Sequence, residues 1–165
     1  MEMTTYIKQY YQSERNMALL AVGIGVVFLF IGWSALRQQG SEQLNRGFAY
    51  TMLVWGVLSL LALGMVFHSN QKMTEAATYS QPNQELQQTE LRRIESVLAT
   101  GYRASTMVAS GMILSGLALL LCSPGSLFRG IGLGILVMGT TLHAIDFISI
   151  NKHKDYYQTV KQLRF

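Results

Sequence analysis

Four long apolar runs dominate this chain and leave few folds open to it. They cover 17–36, 47–67, 104–123 and 130–150. The first three carry no charged residue, and the fourth holds His143 and Asp146. A helix rises about 1.5 Å per residue, so roughly 20 residues cross the ~30 Å hydrocarbon core of a bilayer. Each run meets that length. A chain in lipid must satisfy its backbone hydrogen bonds internally, which restricts it to helices or a closed barrel. The expectation is an all-α membrane protein, a four-transmembrane-helix bundle forming one domain over 1–165. The connector at 68–103 lies outside the membrane.

Charge supports that division. Half of the residues are hydrophobic and only 13% are charged, against about 25% in an average soluble domain. The net charge is +4, but the basic residues border the apolar runs. That placement suits attraction to membrane lipid and gives no patch for nucleic acid. The lone Cys122 excludes an internal disulfide framework and a cysteine-based zinc site. Glu2 and Glu14 precede the first run, and no A-x-A site follows it, so it reads as a membrane helix rather than a cleaved signal. Trp33 and Tyr50 suit one interfacial aromatic belt.

Lys and Arg near the helix ends set the orientation. Ten of them (Lys8, Arg15, Lys72, Arg92, Arg93, Arg103, Lys152, Lys154, Lys161 and Arg164) fall on the side of the tails and connector. Three (Arg37, Arg46 and Arg129) fall on the side of the short loops. The N- and C-termini are therefore expected in the cytoplasm, with the chain in a bacterial inner membrane.

The second and fourth runs echo each other at an offset of 83 residues. Arg46-Gly47 matches Arg129-Gly130, Leu53-Val54 matches Leu136-Val137, and Gly56 matches Gly139. A weaker echo joins the first and third runs at an offset of 88, through Arg15/Arg103, Ala21/Ala109, Gly23/Gly111 and Leu29/Leu117. The tails echo as KQYYQS (8–13) and KDYYQT (154–159). Two parallel helical-hairpin repeats would produce this pattern, and so would chance among common membrane residues. Small residues four apart, such as Gly130/Gly134 and Gly111/Ser115, permit close helix packing or self-association into a homo-oligomer.

Amphipathic segments flank the runs. The connector begins as a polar loop through Pro82 and Asn83, then turns helical, with Leu91, Ile94 and Leu98 on one face. It either lies on the membrane surface or runs straight into helix three, with Gly101 as a bend. Met3, Tyr6, Ile7 and Tyr10 form one apolar stripe, and Tyr156, Tyr157, Val160 and Leu163 another. Such stripes anchor helix ends at an interface or present a docking platform. Tyr10, Tyr11, Tyr156, Tyr157, Arg92 and Arg93 are the candidate partner contacts.

No nucleophile elbow, P-loop, zincin or dinucleotide motif is present, so no enzyme activity and no cofactor or metal is expected. His68 and His143 differ in depth by roughly 12 Å at the helical rise, which is poor for a shared haem. The notable polar group is His143 with Asp146, three apart and on one helical face. An ionisable residue at this depth costs on the order of 2–3 kcal/mol and needs a partner. Arg103 and Arg15 are the expected cations for a salt bridge to Asp146. The other readings are a proton- or ion-linked site and a contact with another membrane protein.

Several segments together resemble small four-helix bacterial inner-membrane proteins. They are YYQSER at 10–15, RGFAY at 46–50, TELRRIESVL at 89–98, RGIGLG at 129–134 and the late acid Asp146. In size and topology the chain is also similar to immunity proteins against type VI secretion pore-forming toxins. That resemblance implies a non-enzymatic protein that acts by helix–helix contact with a membrane partner, a toxin or a complex subunit. The alternative is a small proton- or ion-linked channel or carrier, or an accessory subunit of a membrane complex.

Overall fold

The computed structural model describes residues 3–38, 42–78 and 84–162. Pro82 and Asn83 of the expected loop, Leu163 and Arg164 of the C-terminal tail, and the side chain of Met3 lie outside that description. The chain forms α1 (Met3–Arg37), α2 (Gln43–Ser59), α3 (Ala62–Thr78), α4 (Gln84–Ser96), a π-helical turn (Val97–Gly101), α5 (Tyr102–Cys122) and α6 (Ser126–Gln162). These elements line up as four rods, because α2 continues into α3 and α4 continues through the π turn into α5. Each rod is long and apolar enough to cross a membrane.

The rods are longer than the apolar runs inside them. α1 has 35 residues and α6 has 37, or about 50–55 Å at the helical rise. Each is longer than the ~30 Å core of a bilayer, and the part outside the apolar run lies at the end carrying the tails. The expected loop after Phe67 is instead helical as far as Thr78. Its sequence holds no Gly or Pro to stop it, and Ser69, Met73 and Ala76 repeat at helical spacing. Ser69 and Ala76 are buried. Of the two courses expected for the connector, the chain takes the one that runs into helix three.

In cross-section the rods form an arc in the order α1, α2, α6, α5. α2 and α6 are the central pair and run in the same direction, since both begin at the loop end, where the Ser126 hydroxyl reaches the Gln43 amide oxygen at 3.4 Å. Their contact is nearly bare backbone. A Cβ on Gly47 would collide with the Leu127 carbonyl and reach the Ile131 nitrogen, and one on Gly130 would collide with the Leu44 carbonyl and reach the Phe48 nitrogen. Each of these residues has its counterpart 83 positions later.

The outer contacts correspond in the same way. Gly32 lies against the Ala49 carbonyl and Leu53, while Gly116 lies against the Gly132 carbonyl and Leu136. Gly56 lies against Leu29 and the Gly25 carbonyl, while Gly139 lies against Ile113 and the Ala109 carbonyl. α2 residues map onto α6 at 83, and α1 residues map onto α5 at 84. The offset of 88 expected from sequence identity is one helical turn away from this contact register.

The two hairpins differ at one place. At Leu60–Leu61 the second rod changes from α-helical to tighter i→i−3 hydrogen bonds, as in Leu60 N to Val57 O and Leu63 N to Leu60 O. Beyond this break α3 packs on α1 and forms no packed interface with α5 or α6. α6 is continuous at the matching positions. Much of the apolar surface faces outward, with Leu61, Leu121 and Phe147 each more than 70% exposed.

Gly130→Val should separate α2 from α6, because backbone atoms cannot step aside as a side chain can. Overpacking typically costs about 1–3 kcal/mol, so its thermal midpoint in detergent should fall clearly. Gly111→Ala, with nothing within 4 Å of the new Cβ, should leave the midpoint unchanged or slightly raised.

Candidate functional site

The break in the second rod opens a cavity at the tail end. It measures about 410 Å3 and is walled by α1, α3, α4, the π turn, α5 and α6. Met17, Ala21, Met65 and Ile145 supply apolar wall, and Glu14, Arg93, Tyr102, Asp146 and His153 supply polar groups. α3 lines it with the other elements but packs on α1 alone among them, so the cavity is least closed along α3. A second recess of about 150 Å3 shares Ala21 and Ile145 with the first and continues towards Trp55 and Leu142. The space is thus polar at the tail end and apolar at depth.

Asp146 stands between these zones. The Ser105 hydroxyl donates to its Oδ2 at 2.5 Å. One turn deeper, His143 Nε2 and the Ser110 hydroxyl hydrogen bond at 3.1 Å. His143 and Asp146 therefore do share a face, and it is pinned to α5 by two serines. The expected salt bridge to Arg103 or Arg15 is not formed, and among the described residues Asp146 has no ion pair. Arg103 is two residues from Ser105, or about 200° around the helix, so it is exposed while Ser105 faces inward. Arg15 turns towards α3, where its Nη1 lies 3.5 Å from the Asn70 side-chain oxygen.

Above Asp146 a buried ionic network closes the tail end. Arg93 Nε lies 3.2 Å from Glu90 Oε2, and Arg93 Nη1 lies 3.7 Å from Glu14 Oε1. The Tyr11 and Tyr156 hydroxyls donate to Glu90 at 3.1 and 3.3 Å, and the Tyr10 hydroxyl donates to Glu14. Arg93 also lies over the Tyr10 and Tyr11 rings, at 5.2 and 4.9 Å. His153 Nδ1 lies 2.9 Å from the Ser149 carbonyl and 3.0 Å from the Tyr102 hydroxyl. Its Nε2 lies 3.4 Å from Glu14 Oε1, an ion pair when the ring is protonated.

Burial works against the Glu14 charge, but hydrogen bonds from His153 and Tyr10 and the Arg93 charge outweigh it. They hold its carboxyl below the usual carboxylate range. Burial would also lower the Arg93 guanidinium, and Glu90 with its neighbours more than reverses this. Burial raises the Tyr10, Tyr11 and Tyr156 phenols, so they stay neutral donors.

The aromatic residues expected to meet a partner are mostly used up inside the chain. Tyr10, Tyr11 and Tyr156 are 6%, 0% and 6% exposed. Tyr10 stacks on Tyr156 at 3.9 Å with 20° between the rings, so the two echoed tails meet one another. With Ile7, Ala76, Ile94 and Val160 they form a small core of their own. The physical reason is that α1 and α6 extend side by side beyond their apolar runs and bury their stripes against α4. Arg92 stays exposed, while Tyr157 donates to Glu95 at the surface. Glu14, Ser105, Tyr102 and His153 were not singled out from the sequence. Compared with known proteins, the chain matches no family model, no curated protein and no solved structure.

The ionic network sets a pH dependence. A carboxyl held low in the folded state contributes stability above its unfolded value, near 4.5, and loses it as pH falls through the lower folded value. The protection of the Tyr10 and Tyr156 amides, taken relative to their intrinsic exchange rates, should therefore hold from about pH 7 to 5 and fall as pH drops below the unfolded value. Glu14→Gln should flatten that acid limb.

Proposed function

We propose that this chain is a multi-pass protein of the bacterial inner membrane with both termini in the cytoplasm. It is built from two parallel helical hairpins and works without enzymatic chemistry, as a proton- or ion-linked carrier or channel for a small molecule. Its outward-facing apolar side chains favour the membrane placement, and the ten-to-three bias of Lys and Arg favours the orientation. The matched glycine contacts at 83 and 84 favour the repeat.

One observation carries the functional reading. Asp146 lines a cavity in the apolar zone with a serine hydroxyl as its protein partner and no cation within ion-pair reach among the described residues. A membrane-level acid so placed either takes up a proton or waits for a positive ligand. The other titratable or charged groups facing the cavity are Glu14 on α1, His68 on α3, Arg93 on α4, Tyr102 on α5 and His153 on α6. His143 sits one turn below Asp146 on the same helix.

A second reading is contact with a membrane partner, most concretely immunity against a pore-forming toxin. It rests on the outer face of α5, where Gly111 and Ser115 are exposed and a Cβ on Gly111 would meet nothing. That face admits a foreign helix or a second copy of the chain.

The first reading predicts pH-dependent proton or ion movement into liposomes carrying the protein between pH 5 and 8, lost in Asp146→Asn. Liposomes that stay tight across that range would overturn it. Recovery of one specific membrane protein with the chain in detergent, lost in Gly111→Leu, would favour the second.

A further inference from the structure

We infer that the cavity takes a lipophilic organic cation, an ammonium or phosphonium whose charge pairs with Asp146 and whose apolar body fills the space below. This names the ligand class for the proposed carrier site and rests on that cavity being a ligand site.

The charge balance points to a cation. Arg93 is met by both Glu90 and Glu14. His153, when protonated, is met by Glu14. With His153 protonated these charges balance, and with it neutral the network is one charge negative, although Arg93 Nη2 is buried without a hydrogen-bond partner. Asp146 is left over. Its hydrogen bond from Ser105 satisfies part of the carboxylate, but a neutral hydroxyl does not replace a counter-charge in an apolar setting. An anionic ligand could pair only with Arg93, which Glu90 and Glu14 already hold, and would meet the Asp146 carboxylate unopposed.

The walls select against a small inorganic ion. A divalent metal needs several oxygen or nitrogen ligands, and no cluster of three or more His, Cys, Asp or Glu suited to a metal occurs among the described residues. The cavity that Asp146 lines is walled also by Ala21, Met65, Ile145 and Tyr102. Pockets of this make-up, mostly apolar with a few fixed polar groups, suit organic ligands. Below them the recess reaches Ile24, Trp55 and Leu142, which gives an apolar body somewhere to go. The cavity is least closed along α3, which packs on α1 alone among the lining elements, so a ligand can enter beside α3 from the layer that already concentrates it.

The groups that share the cavity with Asp146 are Glu14, His68, Arg93, Tyr102 and His153, with His143 behind it and Glu90 behind Arg93.

The test is equilibrium binding of tetraphenylphosphonium to the purified full-length protein in nanodiscs, with tetraphenylborate as an anion of the same shape. The expected result is one saturable phosphonium site per chain at pH 8. Asp146→Asn should weaken it by about tenfold or more, while Asp146→Glu retains it. Ala21→Trp, which fills the junction of cavity and recess, should also abolish it. Matching thermal midpoints would show that the variants fold. Phosphonium binding unchanged in Asp146→Asn would overturn the inference. Saturable borate binding that Ala21→Trp removes would also overturn it, while leaving the cavity as a ligand site. No saturable binding of either probe would sink both the inference and the carrier reading.

Discussion

The close approach of α2 to α6 is the contact on which the rest of the structure depends. Gly47 and Gly130 leave no side chain between two parallel helices, and each helix rests on carbonyl oxygens of the other. Apolar side chains gain little by leaving lipid for protein, so a membrane bundle is held by packing and by backbones that come near enough to touch. The paired glycines provide that proximity. They also fix the register, since Leu44 and Phe48 meet Gly130 as Leu127 and Ile131 meet Gly47. α1 and α5 are then placed on the outside by Gly32, Gly56, Gly116 and Gly139.

With the loop end locked, the tail end has room to diverge. The second rod leaves α6 at Leu60–Leu61 and follows α1, while α6 stays straight alongside α5. The gap between them is the cavity. The polar residues follow that asymmetry. His143 and Asp146 occupy the α6 positions that match Leu60 and Leu63, at the break and just beyond it. On the straight side two serines bind them to α5. The Arg93–Glu90–Glu14–His153 network then ties the protruding ends of α1, α4 and α6 together across the cavity roof.

Much of this was legible in the sequence. The four apolar runs gave the rods, and the paired Arg-Gly motifs marked the helices that touch. His143 and Asp146 stood out because ionisable residues are rare at that depth. Other features were hidden for physical reasons. An apolar stripe such as Tyr6, Ile7 and Tyr10 looks the same whether lipid or protein covers it, and only the tertiary fold showed Tyr10 stacked on Tyr156. Asp146 drew attention to arginines, although a serine on the facing helix was geometrically better placed. The helical extension to Thr78 had a readable signal in Ser69, Met73 and Ala76, obscured by the polar residues between them. The break at Leu60–Leu61 has no Pro, and Gly64 at its far edge does not stand out among the many glycines of the apolar runs, so the cavity itself could not be foreseen.

Thiol cross-linking between α2 and α6 tests the parallel contact most directly. In a Cys122→Ala background, Gln43→Cys with Ser126→Cys places two thiols where the native side chains lie 3.4 Å apart. A short bifunctional thiol reagent applied to native membranes should link them rapidly within one chain, visible as a shifted monomer on a denaturing gel. Failure of that pair to link, with rapid linking instead in Gln43→Cys combined with Asn151→Cys at the opposite end of α6, would contradict the parallel arrangement and with it the cavity.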